Sequence, residues 1–180
     1  GLAETSTDTN GVYKMANLPN VPYYAKAWTF VEYGGETFCL RLGMPKASDY
    51  GSFTVEQGVV RNFQWQLRGV IEDLKEYDGY FGAEIRLFID GDVKEGAVEL
   101  TFTPTAPMVD GSTGETLTRT LNVNEELMVY DIPLGQYEVS GVLLENGTRT
   151  PLHVGLETAW NGYAEQTETA ALTFKPNGCG

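Results

Sequence analysis

Residues 124–155 read NEELMVYDIPLGQYEVSGVLLENGTRTPLHVG, and the fold class turns on how this stretch is understood. Leu127 and Val129 alternate with polar neighbours, which sets both on one face of an extended segment. Pro133 and Gly135 then break the chain. Proline cannot donate to a ladder, and glycine accepts the positive φ of a sharp turn. Tyr137, Val139 and Leu143 share one face of the next strand. Asn146-Gly147 is a strong signal for a type I′ hairpin, and Leu152 and Val154 bring the chain back. The unit is antiparallel β structure of the kind that packs into a sandwich.

A second stretch follows the same plan. Tyr13, Met15, Pro19 and Tyr23 match Leu127, Val129, Pro133 and Tyr137 without a gap. Gly35, Leu40, Leu42 and Gly43 match Gly147, Leu152, Val154 and Gly155. Only the strand between tyrosine and hairpin differs, by two residues, a change that leaves its inner and outer faces unaltered. An internal repeat is expected. Its first copy is too short for a complete sandwich, so either the chain begins inside a domain or both hairpins belong to one larger sandwich.

Between and beyond these units, residues 1–10 read as a loop and residues 44–58 as a connector punctuated by Pro45, Gly51 and Gly58. Phe63 to Arg68 alternates as a strand should. From Leu67 the spacing through Val70, Ile71, Leu74 and Tyr77 is helical, yet Gly69 opposes a helix, and continued strand is the expectation. Strands are also expected around Ile85–Ile89, Val98–Phe102, Leu117–Val123 and Ala170–Phe174, with a long surface loop over 103–116. Short strands with turns every 8 to 12 residues predict an all-β antiparallel sandwich of immunoglobulin-like or prealbumin-like type, with room for two packed units. The expected division is an N-terminal β segment over 1–52 and a sandwich domain over 53–180.

The residues around the first quoted stretch resemble the prealbumin-like (Cna-B or carboxypeptidase-regulatory-like) repeats of bacterial surface proteins. Gly82-Ala83, Thr118, Thr120, Ile132, Pro133, Gly135, Tyr137 and Val139 carry the likeness. The first copy is similar through Thr7, Asp8, Gly11, Tyr13, Leu18, Pro19 and Tyr23, but holds Val21 where the turn glycine belongs. The run YYAKAWTFVEYGGET (residues 23–37) also looks like the last hairpin of bacterial fibronectin-III domains. The likeness covers about half the chain and lies in turn chemistry, so it implies architecture more than function. Some members of such families carry a Lys–Asn cross-link; no motif here places its residues, and none is carried over.

Composition narrows the function. The 180 residues carry 12 Lys+Arg against 25 Asp+Glu, a net charge of -13. Nucleic acid and anionic membrane surfaces would be repelled. Such acidity reads first as solubility, and then as work outside the cell or cation-holding loops. No apolar run approaches the roughly 20 residues of a membrane span, so no membrane insertion is expected. Gly1–Thr5 does not read as a signal peptide, and any such peptide is expected to be removed or to lie outside this chain. Cys39 alternates with Phe38 and Leu40 and reads as a buried thiol, with Cys179 in a loose tail; a bridge between them is the lesser reading.

Catalytic signals are sparse. His153, the single histidine, alternates with Leu152 and Val154 and reads as a surface strand residue. Nothing places it near a nucleophile or in a zinc set. Asp90-Gly91-Asp92 opens like a calcium loop, but Val93-Lys94 spoils it, so a turn is expected. No cofactor is expected, and no enzyme activity. Aromatic residues beside turns are more informative. Tyr77, Tyr80, Trp160 and Tyr163 flank Asp-Gly and Asn-Gly pairs. If Tyr23, Ala25 and Ala27 face the core, Tyr24, Lys26, Trp28 and Phe30 line the other face. Such rings suit a sugar or a protein partner, unless a second layer covers them. The expected role is a structural or adhesive interaction module, secreted or at the cell surface, set among flanking domains and engaging a cell-surface protein or polysaccharide. That role predicts a buried Trp28. The alternative is a carbohydrate-binding module using Trp160 and Tyr163; a secreted enzyme has least support.

Overall fold

The computed structural model describes the chain except residues 1, 2, 90, 92, 94, 126, 160, 161, 164 and 180, together with the side chains of 158, 159, 162 and 163. Eleven strands are described: β1 Trp28–Tyr33, β2 Glu36–Arg41, β3 Ala83–Arg86, β4 Ala97–Pro104, β5 Leu117–Asn122, β6 Met128–Ile132, β7 Gln136–Glu145, β8 Thr148–Leu152, β9 Glu157–Ala159, β10 Gly162–Tyr163 and β11 Thr169–Thr173. All pairings between them are antiparallel, the sheets stay open, and the all-β sandwich class read from the turns is the observed one.

β7 is the axis of the main sheet. One edge pairs along Tyr137–Leu144 with β4, which in turn carries β5. The other edge is shared: Gln136–Ser140 pairs with β11, and Gly141–Glu145 with β8. Strict alternation then builds the core. Val98, Leu100 and Phe102 of β4, Tyr137 and Val139 of β7, Leu117 and Leu172 are all buried. They meet Val129 and Ile132 of the small β3–β6 sheet, with Ile85 and Leu87 beside them. The Tyr137 ring stands edge-on to Phe102 at 6.1 Å and to Phe174 at 6.5 Å, the T-shaped contact that aromatic quadrupoles favour.

Pro133 explains how the sharp turn into β7 is held. The Tyr137 hydroxyl donates to the Pro133 carbonyl at 2.7 Å, a corner bond that closes the turn from inside. Just before it, Asp131 sits at φ 60°, a left-handed conformation that few non-glycine residues adopt. Its carboxylate takes the Gly69 N–H at 2.7 and 2.8 Å and the Gly82 N–H at 3.2 Å, which ties the 69–82 segment to β6.

The same local features recur in residues 17–35. Asn17 lies at φ 58°, and the Tyr23 hydroxyl donates to the Pro19 carbonyl at 3.0 Å. Gly34 and Gly35 both have positive φ, as Asn146 and Gly147 do, so both hairpins close through turns of the I′ kind. Surroundings differ, however. β1 and β2 form a two-stranded sheet of their own, and Tyr23 makes only an isolated bridge, to Phe53. Phe38 packs with Val109 and Leu134, flanked by Val31, Tyr33, Leu40 and Phe174, and this second cluster seats the hairpin on the sandwich. Tyr33 donates to the Pro107 carbonyl at 2.8 Å, and Lys175 pairs with Glu36 at 2.6 Å.

Three expectations are corrected. The stretch 103–116 is not a surface loop throughout: β4 runs to Pro104, and Met108 and Val109 are buried, one in each core cluster. Cys39 is not a free thiol: it is bonded to Cys179. Because Phe38 and Leu40 turn toward the second cluster, Cys39 points to the opposite face of β2, where the C-terminal segment lies. Residues 63–77 are not a continuous strand either. Gln64 and Val70 make isolated bridges, Gly69 turns the backbone at φ 101°, and Glu72–Tyr77 forms a short 3-10 helix ended by Asp78 at φ 53°. Asp90 and Asp92, read as a turn, lie outside the described residues.

Candidate functional site

Seven residues from Tyr24 to Phe30 set the character of the surface. Exposure alternates along them: Tyr24, Lys26, Trp28 and Phe30 face out while Tyr23, Ala25, Ala27 and Thr29 are partly covered. The period-2 reading is therefore correct. Cys39 pairs with Phe30 and so brings Cys179 of the C-terminal segment to this same face. Yet the rings stay open to solvent, and the expected buried Trp28 is overturned. Tyr24 is 65% exposed, Trp28 40% and Phe30 71%. Single exposed apolar side chains are ordinary, and Phe88 and Trp65 are others here; three rings in one row make this face the candidate interaction surface.

The hairpin register brings charge to the row. Trp28 lies opposite Arg41, whose guanidinium sits 5.1 Å from the indole ring centre, a cation–π contact. The same guanidinium reaches Asp73 in the 3-10 helix at 3.1 and 3.2 Å, and Lys26 reaches Asp73 at 3.0 Å. Burial alone would push the Asp73 carboxyl up, but hydrogen bonds and charge from Lys26 and Arg41 outweigh it and hold the group below the usual carboxylate range. Arg41 and Asp73 are themselves largely covered, at 12% and 18% side-chain exposure, so the ion pair is a rigid floor rather than a loose surface contact.

Beside this floor opens a broad, shallow cleft of about 550 Å³. Tyr24 and Tyr50 stand on it, with Lys26, Glu72 and Asp73 as polar lining. Tyr50 is held in place because its hydroxyl oxygen accepts the Met44 N–H at 3.0 Å. A smaller crevice of about 60 Å³ lies where the hairpin meets the sandwich, between Tyr33 and Phe174.

The other aromatic candidates are not brought to this place. Tyr77 is 81% exposed at the end of the 3-10 helix, and Tyr80 is partly covered, its ring 5.6 Å from that of Tyr130. Trp160 and the side chain of Tyr163 lie outside the described residues. His153 is exposed, as read. Among the described residues no group of three or more His, Cys, Asp or Glu could hold a metal ion, and no helix is long and apolar enough to cross a membrane.

Sequence reasoning missed Arg41, Tyr50 and Asp73. Arg41 was within reach, since counting back from the Gly34-Gly35 turn pairs it with Trp28. Tyr50 and Asp73 come from loops whose approach no periodicity encodes. No protein-family model, curated protein or solved structure matches the chain.

Proposed function

We propose that the chain is a non-catalytic extracellular module of a bacterial surface protein, set among flanking domains, with an adhesive role. The exposed Trp28 counts against the purely structural spacer, which required that ring to be buried. The observation that carries this reading is the uncovered row Tyr24, Trp28, Phe30 on a hairpin that is fixed to its neighbours rather than free to fold away. Rings displayed on a rigid support lose little entropy when a partner covers them. The disulfide supports the location, because such bonds persist in oxidising compartments. Net charge of -13 supports it further by opposing nucleic acid and anionic lipid. The prealbumin-like likeness is supported by the turn it rests on, the Pro133–Tyr137 corner. The corner recurs at Pro19–Tyr23, so the likeness of the first copy is supported at its turn, while no strand is described at Tyr13 and Met15 to match β6. Asp73, with two hydrogen bonds from Arg41 and an ion pair to Lys26, is a poor general base, which keeps this face a contact surface in the proposed reading.

The test is adsorption of the purified chain to immobilised fibronectin, fibrinogen, collagen and neutral polysaccharides. Binding to at least one surface should fall at least ten-fold in Phe30→Ala while the melting temperature holds. Equal retention of Phe30→Ala on every surface, or retention by none, would refute the reading.

A further inference from the structure

The cleft beside the hairpin has a chemistry more specific than a general contact surface. Two ring-bearing residues, Tyr24 and Tyr50, border it, and one of them is anchored through its hydroxyl while the other stands 65% exposed. Its charges are all paired within the site, with one cation in excess. Asp73 is matched by Lys26 and Arg41, and Glu72 by Lys75 at 2.6 Å. An anionic ligand would find Lys26, Arg41 and Lys75 already paired on a chain at -13, and a cationic one would meet carboxylates whose partners are in place. An apolar ligand would strip water from Lys26 and Asp73 with nothing to replace it. A neutral polyhydroxylated ligand avoids all three costs. Its ring faces stack on the aromatic residues, and its hydroxyls take charge-assisted bonds from the ammonium and to the carboxylate.

The row continues out of the cleft. Tyr24 lines the cleft and Trp28, where β1 begins, lies four residues on, at most about 13 Å away at the rise of a strand, so a bound chain reaching both must be longer than one sugar ring. The Arg41 guanidinium lies at the Trp28 ring, so the indole is held in one orientation beside the cleft.

We infer that the cleft between Tyr24 and Tyr50, extended by Trp28, is a binding site for a neutral polysaccharide chain. This rests on the reading of the hairpin face as an interaction surface and names the ligand class of that surface.

Electrophoresis in native gels containing xyloglucan, mixed-linkage β-glucan or galactomannan tests it, with polygalacturonate as the anionic comparison. Retardation by at least one neutral polysaccharide is expected, weakened at least ten-fold in Tyr24→Ala and in Trp28→Ala. Polygalacturonate should leave mobility unchanged. Far-UV circular dichroism of Tyr24→Ala should match the parent, since the ring is mostly exposed. Three results would overturn the inference: no retardation by any neutral polysaccharide, retardation that survives both substitutions, or equal retardation by polygalacturonate. If the neutral gels fail while a matrix protein binds and loses that binding in Phe30→Ala, the polysaccharide site is wrong and the wider interaction role stands.

Discussion

Tyr137 and Tyr23 make the same bond in two environments, and the contrast shows what burial adds. The Tyr137 hydroxyl and the Pro133 carbonyl are both inside, so Tyr137→Phe leaves a buried carbonyl without its donor. That loss costs about 1–3 kcal/mol, a fall of about 2–4 °C in melting temperature for each kcal/mol in a domain of this size. Tyr23 bonds to Pro19 where water reaches, so Tyr23→Phe should cost under about 1 kcal/mol. Thermal melts of the two variants side by side check the ordering; an equal effect would deny the role of burial. The same burial pushes the Tyr137 phenol up to about 12, from an ordinary value of 10.0, with the Tyr33 charge adding to the shift. A raised phenol pKa means that the folded state holds its proton longer than the unfolded chain does. The stability it contributes is complete below pH 10 and is lost as pH climbs through 10 toward 12. Unfolding followed by fluorescence should therefore steepen across that window, and less so in Tyr137→Phe.

Elements were legible where their chemistry is local. Both hairpins announce themselves by paired positive-φ turn residues, and the β7 core face by plain alternation at Tyr137 and Val139. Elements settled by distant partners were not. Glu72–Tyr77 looked like either strand or helix because Gly69 and the periodicity disagree, and the bonds from Gly69 and Gly82 to Asp131 lie far away in sequence. The outer row was placed on the correct face, yet whether anything covered Trp28 depends on packing that no single strand encodes. Asp73, brought under Trp28 by Arg41, was invisible for the same reason. The β3–β6 pair gives an element-scale prediction. A Cβ added at Gly82 would lie 2.6 Å from the Asp131 carbonyl carbon and 2.8 Å from the Ile132 nitrogen, both main-chain atoms. Neither can swing aside as a side chain would. Gly82→Ala should force β3 away from β6 and cost about 3 kcal/mol, the upper end for overpacking. A loss below about 1 kcal/mol by chemical denaturation would mean that this pair is softer than its geometry indicates.

At the scale of the molecule, Cys39–Cys179 links residues 140 positions apart. No local pattern announces such a pairing, which is why the two cysteines read as unrelated. In the chain-entropy view, closing so long a loop restricts the unfolded state by about 5 kcal/mol, with about 2–5 kcal/mol typical for removing a native bridge. Melting with and without reductant should show a fall of about 5–15 °C, reproduced by Cys39→Ser without reductant. An unchanged melt would mean that β11 pairing, the packing of Phe174 and the Lys175–Glu36 pair hold the C-terminal segment without the bridge. The bridge also redirects mechanical load. If residues 3 and 179 are gripped and pulled, tension passes from Cys39 straight through the sulfur atoms, and the segment between them bears none. Extraction stops once the 36 residues from the grip at 3 to Cys39 (39 − 3) are drawn out, about 120–130 Å of contour at the extended-chain limit. The main sheet stays folded under a force that would otherwise unravel it, and the aromatic row, beginning within that first segment, is the part that feels the pull.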